Sequence, residues 1–301
     1  MAGFIEGKVV AVTGGGRGIG RAIALACAEH GARVVVNDLG VALDGSDPTS
    51  SVAQSVVDEI SAGGGSAVAS GDDVTAMDGG ENIVRAALDT YGRLDGVVCV
   101  AGILRERMLF NLTEDDWDSV VATHLKGTFT LFRAASAVMR KQGSGRLIGF
   151  ASGAFTGSVA QANYSAAKGG IISLVRSAAL GLHRYGITAN AIAPVARTRM
   201  SELVPFAIED MGGPEDVAPM AVYLLSDAAA EVTGQVYTVA GSKVAVWAQP
   251  RELRTMYGAG RWTPQELAER LPAAVGQDRM PSLDLIAQRA AAAQTGARPN
   301  A

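Results

Sequence analysis

The chain has 301 residues, of which 48% are hydrophobic and 19% are charged, and its formal net charge at pH 7 is −4. These values exclude a largely disordered chain and give no sign of the basic surface that nucleic-acid-binding proteins present. The length suffices for one large α/β domain or two small ones, each with a buried core.

Short β-branched runs alternate with longer amphipathic segments along most of the chain. In chain order the predicted strands are KVVAV, ARVVVN, SAVAS, GVVCVA, GRLIGF, ITANAIA and QVYTVA. Predicted helices lie between them, near residues 18–30, 50–62, 78–91, 113–142, 162–185 and 214–226. Parallel strands need crossovers, so this order predicts a Rossmann-like, doubly wound parallel sheet of about seven strands with helices on both faces.

The pattern predicts one domain over residues 1–242 and a partly helical C-terminal extension over residues 243–301. In the extension, Thr263 is a predicted helix N-cap and Pro264 is suited to the first turn. The extension also holds a set of aromatic and basic residues that would line a pocket, grip phosphates or lie at an oligomer interface: Trp247, Arg251, Arg254, Tyr257, Arg261 and Trp262. Solvated arginines are the simpler alternative.

The sequence also bears on the compartment. Its two cysteines, Cys27 and Cys99, have no metal-ligand spacing and cannot form a framework of several disulfides. The first residues lack the basic and apolar regions of a signal peptide, and no apolar run approaches the roughly 20 residues of a membrane span. We therefore expect a cytoplasmic protein without a membrane span, a metal site or a nucleic-acid partner.

A glycine-rich stretch, TGGGRGIG at residues 13–20, directly follows the first predicted strand. Gly14, Gly18 and Gly20 suit a tight turn, a close backbone approach and helix packing, and Asp38 ends the next predicted strand. These features together predict a dinucleotide site, with the pyrophosphate at a helix N-terminus and Asp38 on the ribose. Asp38 favours NAD, because a carboxylate would repel a 2′-phosphate, whereas Arg17 in the turn leaves NADP open.

The stretch YSAAK places Tyr164 and Lys168 four residues apart on a predicted helix, and therefore on one face. A nearby ammonium favours a phenolate, so we expect Lys168 to lower the pKa of Tyr164. Tyr164 would then exchange a proton with an alcohol or carbonyl oxygen while a nicotinamide carries the hydride. A Tyr/Lys pair on a helix surface is common, and only its combination with the glycine turn favours catalysis.

These motifs resemble the short-chain dehydrogenase/reductase family over about Lys8 to Gly241. TGGGRGIG is similar to its cofactor turn, YSAAK to its YxxxK element, and DDV at residues 72–74 to its acid–hydrophobe pair that contacts adenine. The resemblance implies further cofactor-binding roles for Ile19, Asp73, Val74, Ala101, Gly102, Pro194 and Thr198, and adds Tyr164 and Lys168 to that set.

Two catalytic positions depart from the family pattern. The polarising serine is expected at Ser152, although it lies twelve rather than thirteen residues before Tyr164 and the thirteenth position is Ala151. His124 stands where the family has a catalytic asparagine. The resemblance implies a proton relay through its main chain or its ring, and an ordinary buried helix histidine is the alternative. After the fourth predicted strand, the family's NNAG is replaced by CVAG. At the end of the sixth predicted strand and in the loop after it, Ile192, Pro194 and Thr198 are the candidate residues, and Ile192 is expected to belong to the core.

Several stretches narrow the resemblance to one branch: VVVNDLG, AGILRERML, HLKGTF, QANYSAAK and AIAPVARTRM. They look like the dehydrogenase unit of multifunctional β-oxidation enzymes and bacterial 3-hydroxyacyl-CoA or 17β-hydroxysteroid dehydrogenases. This implies an NAD-dependent enzyme that interconverts a secondary alcohol and a ketone on an acyl-CoA or steroid-like substrate, as a homodimer or homotetramer. The alternatives are a 3-oxoacyl-carrier-protein reductase and a cofactor-binding sensor or partner subunit that has lost turnover.

Overall fold

A computed structural model describes residues 3–42, 44–46, 49, 51–198, 211–276, 278, 280, 282–284 and 286–287. The chain divides into two compact units, Met1–Trp247 and Ala248–Ala301. The first unit thus ends five residues after the predicted boundary at residue 242. Residues 199–210, which follow Thr198, and residues 288–301 lie outside the described residues.

One sheet organises the first unit. In the described residues its eight strands lie in the order β3-β2-β1-β4-β5-β6-β7-β8. They are β1 Val9–Thr13, β2 Arg33–Asn37, β3 Ser66–Ser70, β4 Gly96–Cys99, β5 Gly145–Phe150, β6 Ile187–Val195, β7 Val236–Ala240 and β8 Lys243–Val246. Strands β1 to β7 are parallel, which confirms the predicted doubly wound fold, while β8 is an additional antiparallel edge strand that pairs with β7.

Helices cover both faces of this sheet. In the first unit they are α1 Gly18–Glu29, α2 Ser51–Ala62, α3 Met77–Tyr91, α4 Glu114–Val121, α5 Gly127–Gln142, α6 Ala162–Leu182 and α7 Ala218–Leu225. The helix predicted near residues 113–142 is interrupted between α4 and α5 by a π-helical turn at Ala122–Lys126. None of the described helices is both long and apolar enough to cross a membrane.

The second unit contains the helix α8, Pro264–Ala274. Thr263 caps it as predicted: its side chain accepts a hydrogen bond from the Glu266 amide at 3.2 Å, and the Glu266 carboxylate accepts one from the Thr263 amide at 2.8 Å. This reciprocal capping box satisfies two backbone donors that the helix itself leaves unpaired.

The core forms two layers because strand side chains alternate between the faces of the sheet. Val10 and Val12 of β1 pack in one hydrophobic cluster with α1, α2 and α7, whereas Val9 and Ala11 pack in the other with α3, α5 and α6. With both faces covered, the carboxyl ends of the strands are the place where an open α/β sheet can bind a ligand. Strands β2 and β4 flank β1 on opposite sides, so the strand order reverses at β1.

Candidate active site

The glycine turn after β1 is close-packed at several positions, among them Gly14 and Gly20. Gly14 has a φ of +62°, and a Cβ there would lie 2.8 Å from the Ala101 amide nitrogen. A Cβ at Gly20 would lie 2.0 Å from the Gly14 carbonyl oxygen. A side chain at either position would therefore separate the turn from β4 or from α1. Glycine at both positions therefore holds the turn directly before the first residues of α1, and backbone amides at such a helix N-terminus can bind an anion.

A cavity of about 430 Å³ lies at the carboxyl ends of β1, β2 and β4. The predicted cofactor residues that line it are Gly14, Asp38, Asp73, Val74, Ala101 and Gly102. The half-buried Asp38 carboxylate accepts hydrogen bonds from the Gly16 amide at 2.9 Å and the Gly40 amide at 2.7 Å. Each carboxylate oxygen keeps a second lone pair for another donor.

The exposed Asp73 carboxylate bonds the Thr75 amide at 2.8 Å and the Thr75 hydroxyl at 2.9 Å. Val74 is buried, and its carbonyl oxygen accepts from the Thr130 hydroxyl at 2.7 Å. The two residues of this predicted pair thus differ: Val74 is fixed to α5, whereas Asp73 organises its own loop at the cavity wall. Neighbouring Asn37 is also buried there and donates to the Asp72 carbonyl at 2.9 Å.

A second cavity of about 190 Å³ shares Gly102 with the first. Its predicted lining residues are Arg17, Gly18, Ile19, Gly20, His124, Tyr164, Lys168, Pro194 and Thr198. Ile192 instead lies fully buried in the core. Ser152 does not line this cavity but shares a side-chain hydrogen bond with Tyr164. The structure therefore brings the predicted site residues together along one cleft, with Ser152 reaching it through Tyr164.

Tyr164 and Lys168 form the buried end of this cleft. Burial raises the pKa of Tyr164, while the Ser152 hydrogen bond opposes that shift and the nearby Glu106 charge adds to it. The Lys168 Nζ lies 5.3 Å from the centroid of the Tyr164 ring and donates to the Phe150 carbonyl at 2.6 Å. Burial lowers the pKa of Lys168 to about 7.

The direction of the Tyr164 pKa differs from the sequence expectation of a lowered value. The physical reason is that Tyr164 and Lys168 are both largely buried, and loss of hydration disfavours every charged form. A lysine with a lowered pKa is charged only part of the time near neutral pH, so it stabilises a phenolate less than a fully charged lysine would. The hydrogen bond to Phe150 also holds its Nζ at the end of β5.

His124 lies in the π-helical turn and is fully buried. Its Nε2 lies 2.8 Å from the Ile103 carbonyl oxygen and 3.2 Å from the Ile103 amide nitrogen, while its buried Nδ1 has no hydrogen-bond partner among the described residues. Burial, reinforced by nearby Lys168, lowers the pKa of His124 well below its usual range. The imidazole is therefore neutral, and a proton on Nε2 leaves Nδ1 as an acceptor.

Two neighbours place the His124 ring. A Cβ at Gly102 would lie 2.2 Å from the ring carbon Cε1, so this position needs glycine for the ring to fit. The ring also meets the Tyr164 ring edge to face, with centroids 5.1 Å apart and an interplanar angle of 88°. The His124 carbonyl oxygen accepts from the Thr128 hydroxyl at 2.7 Å. A π-helical turn is frequent at functional sites, which makes this placement notable for catalysis.

Asn163 is a buried residue beside the site that the sequence reasoning missed. Its side-chain nitrogen donates to the Arg105 carbonyl at 3.0 Å and to the Asp116 carbonyl at 2.9 Å, and its side-chain oxygen accepts from the Tyr164 amide at 2.8 Å. These bonds join the start of α6 to α4 and to the loop after β4. In the sequence, Asn163 is marked only by its position directly before the tyrosine of YSAAK. Its side chain bonds main-chain atoms, which every residue type has, so no spacing pattern predicts this role.

The aromatic and basic residues near the C-terminus have separate partners. In the first unit, the Trp247 Nε1 donates to the Thr238 hydroxyl at 2.8 Å, and its ring contacts Phe155 at a centroid distance of 4.7 Å. In the second unit, Arg254 donates to the Val275 carbonyl and pairs with Asp278, and Arg270 lies over the Trp262 ring. Arg251, Tyr257 and Arg261 are exposed.

The chain is similar to known dehydrogenases over most of its length. Residues 14–241 match a family described as enoyl-(acyl carrier protein) reductase. The hydroxyacyl-CoA dehydrogenase ChsB1 of Mycobacterium tuberculosis is 42% identical over 288 residues, which cover 89% of this chain and 88% of that protein. The peroxisomal multifunctional enzyme type 2 of Mus musculus is 46% identical over 239 residues, 78% of this chain but only 32% of that enzyme.

A solved structure has the same fold. The crystal structure of a short chain dehydrogenase from Mycobacterium avium superimposes with a TM-score of 0.84 at 49% sequence identity, and the match covers 93% of this chain and 98% of that one. The agreement extends to the α/β architecture with its mostly parallel sheet.

Proposed function

This chain belongs to the short-chain dehydrogenase/reductase family and is an oxidoreductase of the class that acts on CH–OH groups, and on that premise we propose its reaction. The enzyme uses NAD to interconvert a secondary alcohol and a ketone on a 3-hydroxyacyl-CoA or steroid-like substrate. The observation that carries this proposal is the Tyr164 hydroxyl, hydrogen-bonded to Ser152 and flanked by Lys168, at the buried end of the glycine-turn cleft.

The cleft fits a nicotinamide dinucleotide in shape and in chemistry. The turn is open beside Gly18, whose Cβ position has only Thr198 within 4 Å among the described residues, and the cavities of about 430 Å³ and 190 Å³ adjoin at Gly102. The adenosine half would be held in the larger cavity, beside Asp38, Asp73, Val74 and Ala101. The nicotinamide half would be held in the smaller one, beside Ile19, Pro194 and Thr198. When bound, the nicotinamide supplies or accepts the hydride.

Two observations favour NAD over NADP. Asp38 lines the adenosine cavity, and its free lone pairs suit ribose hydroxyls, whereas its charge disfavours a 2′-phosphate. Arg17, the cation that could offset that charge, donates from its Nη1 to the Val41 carbonyl at 3.1 Å. One of its donors is thus committed to a backbone oxygen and not to a phosphate.

Tyr164 is the proton donor and acceptor in this proposal. Because burial raises its pKa, the phenol keeps its proton at neutral pH and is suited to donate that proton to a carbonyl oxygen during ketone reduction. Ser152 shares a hydrogen bond with the Tyr164 hydroxyl, so it can hydrogen-bond the same substrate oxygen. Lys168, with a pKa of about 7, can gain or lose a proton beside Tyr164 near neutral pH.

His124 takes the relay position in this proposal, through its ring. Its carbonyl oxygen already accepts from Thr128, whereas its Nδ1 is buried without a partner among the described residues. Nδ1 can therefore accept a hydrogen bond from a water beside Lys168. This would connect Lys168 to the rest of the cleft, as the asparagine does in the family pattern.

The substrate class is supported by the surface near Tyr164. Glu106 is close enough for its charge to raise the Tyr164 pKa, and the chain continues from it into Met108, Leu109 and Phe110, which are 44%, 70% and 79% exposed. An apolar surface beside the site suits a bulky acyl or steroid group. The hydroxyacyl-CoA dehydrogenase among the relatives supports the acyl-CoA choice.

The test is nicotinamide absorbance with NADH and NADPH against 3-oxoacyl-CoA thioesters, a 17-ketosteroid and a 3-oxoacyl-carrier-protein. We expect NADH oxidation, and we expect Tyr164→Phe to lose at least about a hundredfold in kcat, the lower end of general acid–base contributions. Its affinity for NADH should stay near that of the wild type. Tyr185→Phe, which alters a tyrosine bonded to Arg184, is the matched control. A Tyr164→Phe enzyme that keeps most of its rate would overturn the acid–base assignment.

A further inference from the structure

The segment that follows β2 forms part of the adenosine cavity. We call its described residues 41, 42 and 44–46 the strap; Val41 and Gly45 line the cavity. The Ala42 amide donates to the Ser46 carbonyl at 2.7 Å, and the Gly45 amide donates to the Ala42 carbonyl at 3.1 Å. The strap is therefore a compact turn with its own hydrogen bonds at the wall of the proposed cofactor site.

Side-chain burial contributes little to holding the strap. Each of its described residues is half-buried or exposed, so hydrophobic packing provides a weak anchor. Segments with few buried apolar contacts open locally at low free-energy cost. The position of the strap therefore depends on the polar contacts that it makes with the rest of the molecule.

Two arginines from different loops supply such contacts. Arg17, in the glycine turn after β1, donates from Nη1 to the Val41 carbonyl at 3.1 Å, and Arg105, in the loop after β4, donates from Nε to the Asp44 carbonyl at 3.1 Å. Arg105 also forms an ion pair with Asp115 of α4 through its Nη1. The guanidinium of Arg105 thus joins the strap to a helix on the other side of the cavity.

We propose that Arg17 and Arg105 form a clasp that holds the strap against the adenosine half of the bound cofactor. Arg105 is a positioning residue that sets how long the cofactor stays bound. This inference rests on the proposed function, since it takes a nicotinamide dinucleotide as the ligand of the cavity. Arg105 itself lines that cavity, so a change in its side chain acts where the adenosine half would lie.

Arg105 is the better position for a test, because Arg17 belongs to the glycine turn itself. The main-chain carbonyl of Arg105 supports Asn163, and a side-chain substitution leaves that bond in place. Arg107 provides a matched control: it pairs with Asp116 of α4 at 2.7 Å, as Arg105 pairs with Asp115, but it makes no hydrogen bond to the described strap residues. Arg105→Gln and Arg107→Gln therefore each remove one ion pair, and only Arg105→Gln removes the clasp.

The experiment measures binding and backbone protection. NADH dissociation is followed by stopped-flow fluorescence, and the affinities for ADP-ribose and for reduced nicotinamide mononucleotide are measured by titration. For Arg105→Gln we expect the NADH dissociation rate and the ADP-ribose Kd to increase about five- to tenfold, the effect of losing one typical hydrogen bond. The Kd for the mononucleotide should not change. Hydrogen exchange at the Ala42 and Gly45 amides of the cofactor-free protein should become faster.

The possible results distinguish a failure of the clasp proposal from a failure of the proposed function. Equal effects of Arg105→Gln and Arg107→Gln would assign the change to the α4 ion pairs and overturn the clasp. The clasp would also be overturned if Arg105→Gln kept the wild-type affinity for ADP-ribose and the wild-type rate of NADH dissociation. If the wild type bound neither NADH nor NADPH, the proposed function would fail. The exchange measurement on the cofactor-free protein would then still decide whether Arg105 holds the strap.

Discussion

Replacing Lys168 with methionine should change how the stability of the protein depends on pH. Burial lowers the pKa of Lys168 from 10.5 to about 7, so between these values the unfolded chain binds a proton that the folded chain does not. The contribution of Lys168 to the free energy of unfolding therefore rises with pH in this window, and it is least favourable below pH 7. Methionine has a similar length and no charge, so this contribution disappears in Lys168→Met.

The magnitude follows from the two pKa values. Integration of the linkage relation from pH 7.5 to pH 8.5 gives about 1 kcal/mol of added stability for the wild type from this one lysine. Urea unfolding at the two pH values measures it as the difference between the wild type and Lys168→Met. Other titrating groups are common to both proteins and cancel.

Lys141→Met is the control for replacing a lysine with methionine at the surface, because this lysine is exposed at the end of α5. If the wild type and Lys168→Met changed in parallel between pH 7.5 and 8.5, Lys168 would titrate near its usual pKa. The neutral-lysine part of the proposed proton transfer would then be refuted.

Two further substitutions test the cleft. Gly102→Ala places a Cβ 2.2 Å from His124 Cε1 and should destabilise the protein by about 1–3 kcal/mol in urea unfolding. The cost should be much smaller in a His124→Ala background, and an equal cost there would show that the ring is not the obstacle. Asp38→Ala should raise the NADPH-to-NADH ratio of kcat/KM at least about tenfold, because a like charge is removed from the 2′-phosphate position. The ratio cancels any general loosening of the turn that Asp38 holds through Gly16 and Gly40, and an unchanged ratio would place the ribose elsewhere.

The sequence predicted the main sheet well because parallel strands are buried on both faces and appear as continuous apolar runs. The helix predicted near residues 18–30 is α1, Gly18–Glu29. The short antiparallel strand β8 was not predicted: its residues are mostly exposed, and a four-residue edge strand carries little periodicity. The π-helical turn at Ala122–Lys126 was also missed, because one extra residue hardly disturbs the periodicity of a long amphipathic segment.

The candidate site was predictable where function depends on spacing and hidden where it depends on burial. The i,i+4 spacing of Tyr164 and Lys168 and the glycines of the turn are visible in the sequence. The raised pKa of Tyr164 is not, because it depends on how much water the folded pocket excludes. The contacts of Arg105 and Asn163 are hidden for another reason: both bind main-chain carbonyls, which every residue type provides.

The π-helical turn between α4 and α5 limits which sequence changes this part of the chain can accept during evolution. An α-helix advances about 100° per residue, so a one-residue deletion within Ala122–Lys126 would turn the faces of α4 and α5 relative to each other by about that angle. Asp116, which bonds Asn163 from α4, and Thr130, which bonds Val74 from α5, would no longer both face their partners. We therefore expect substitutions to be tolerated in this turn far more readily than changes in its length.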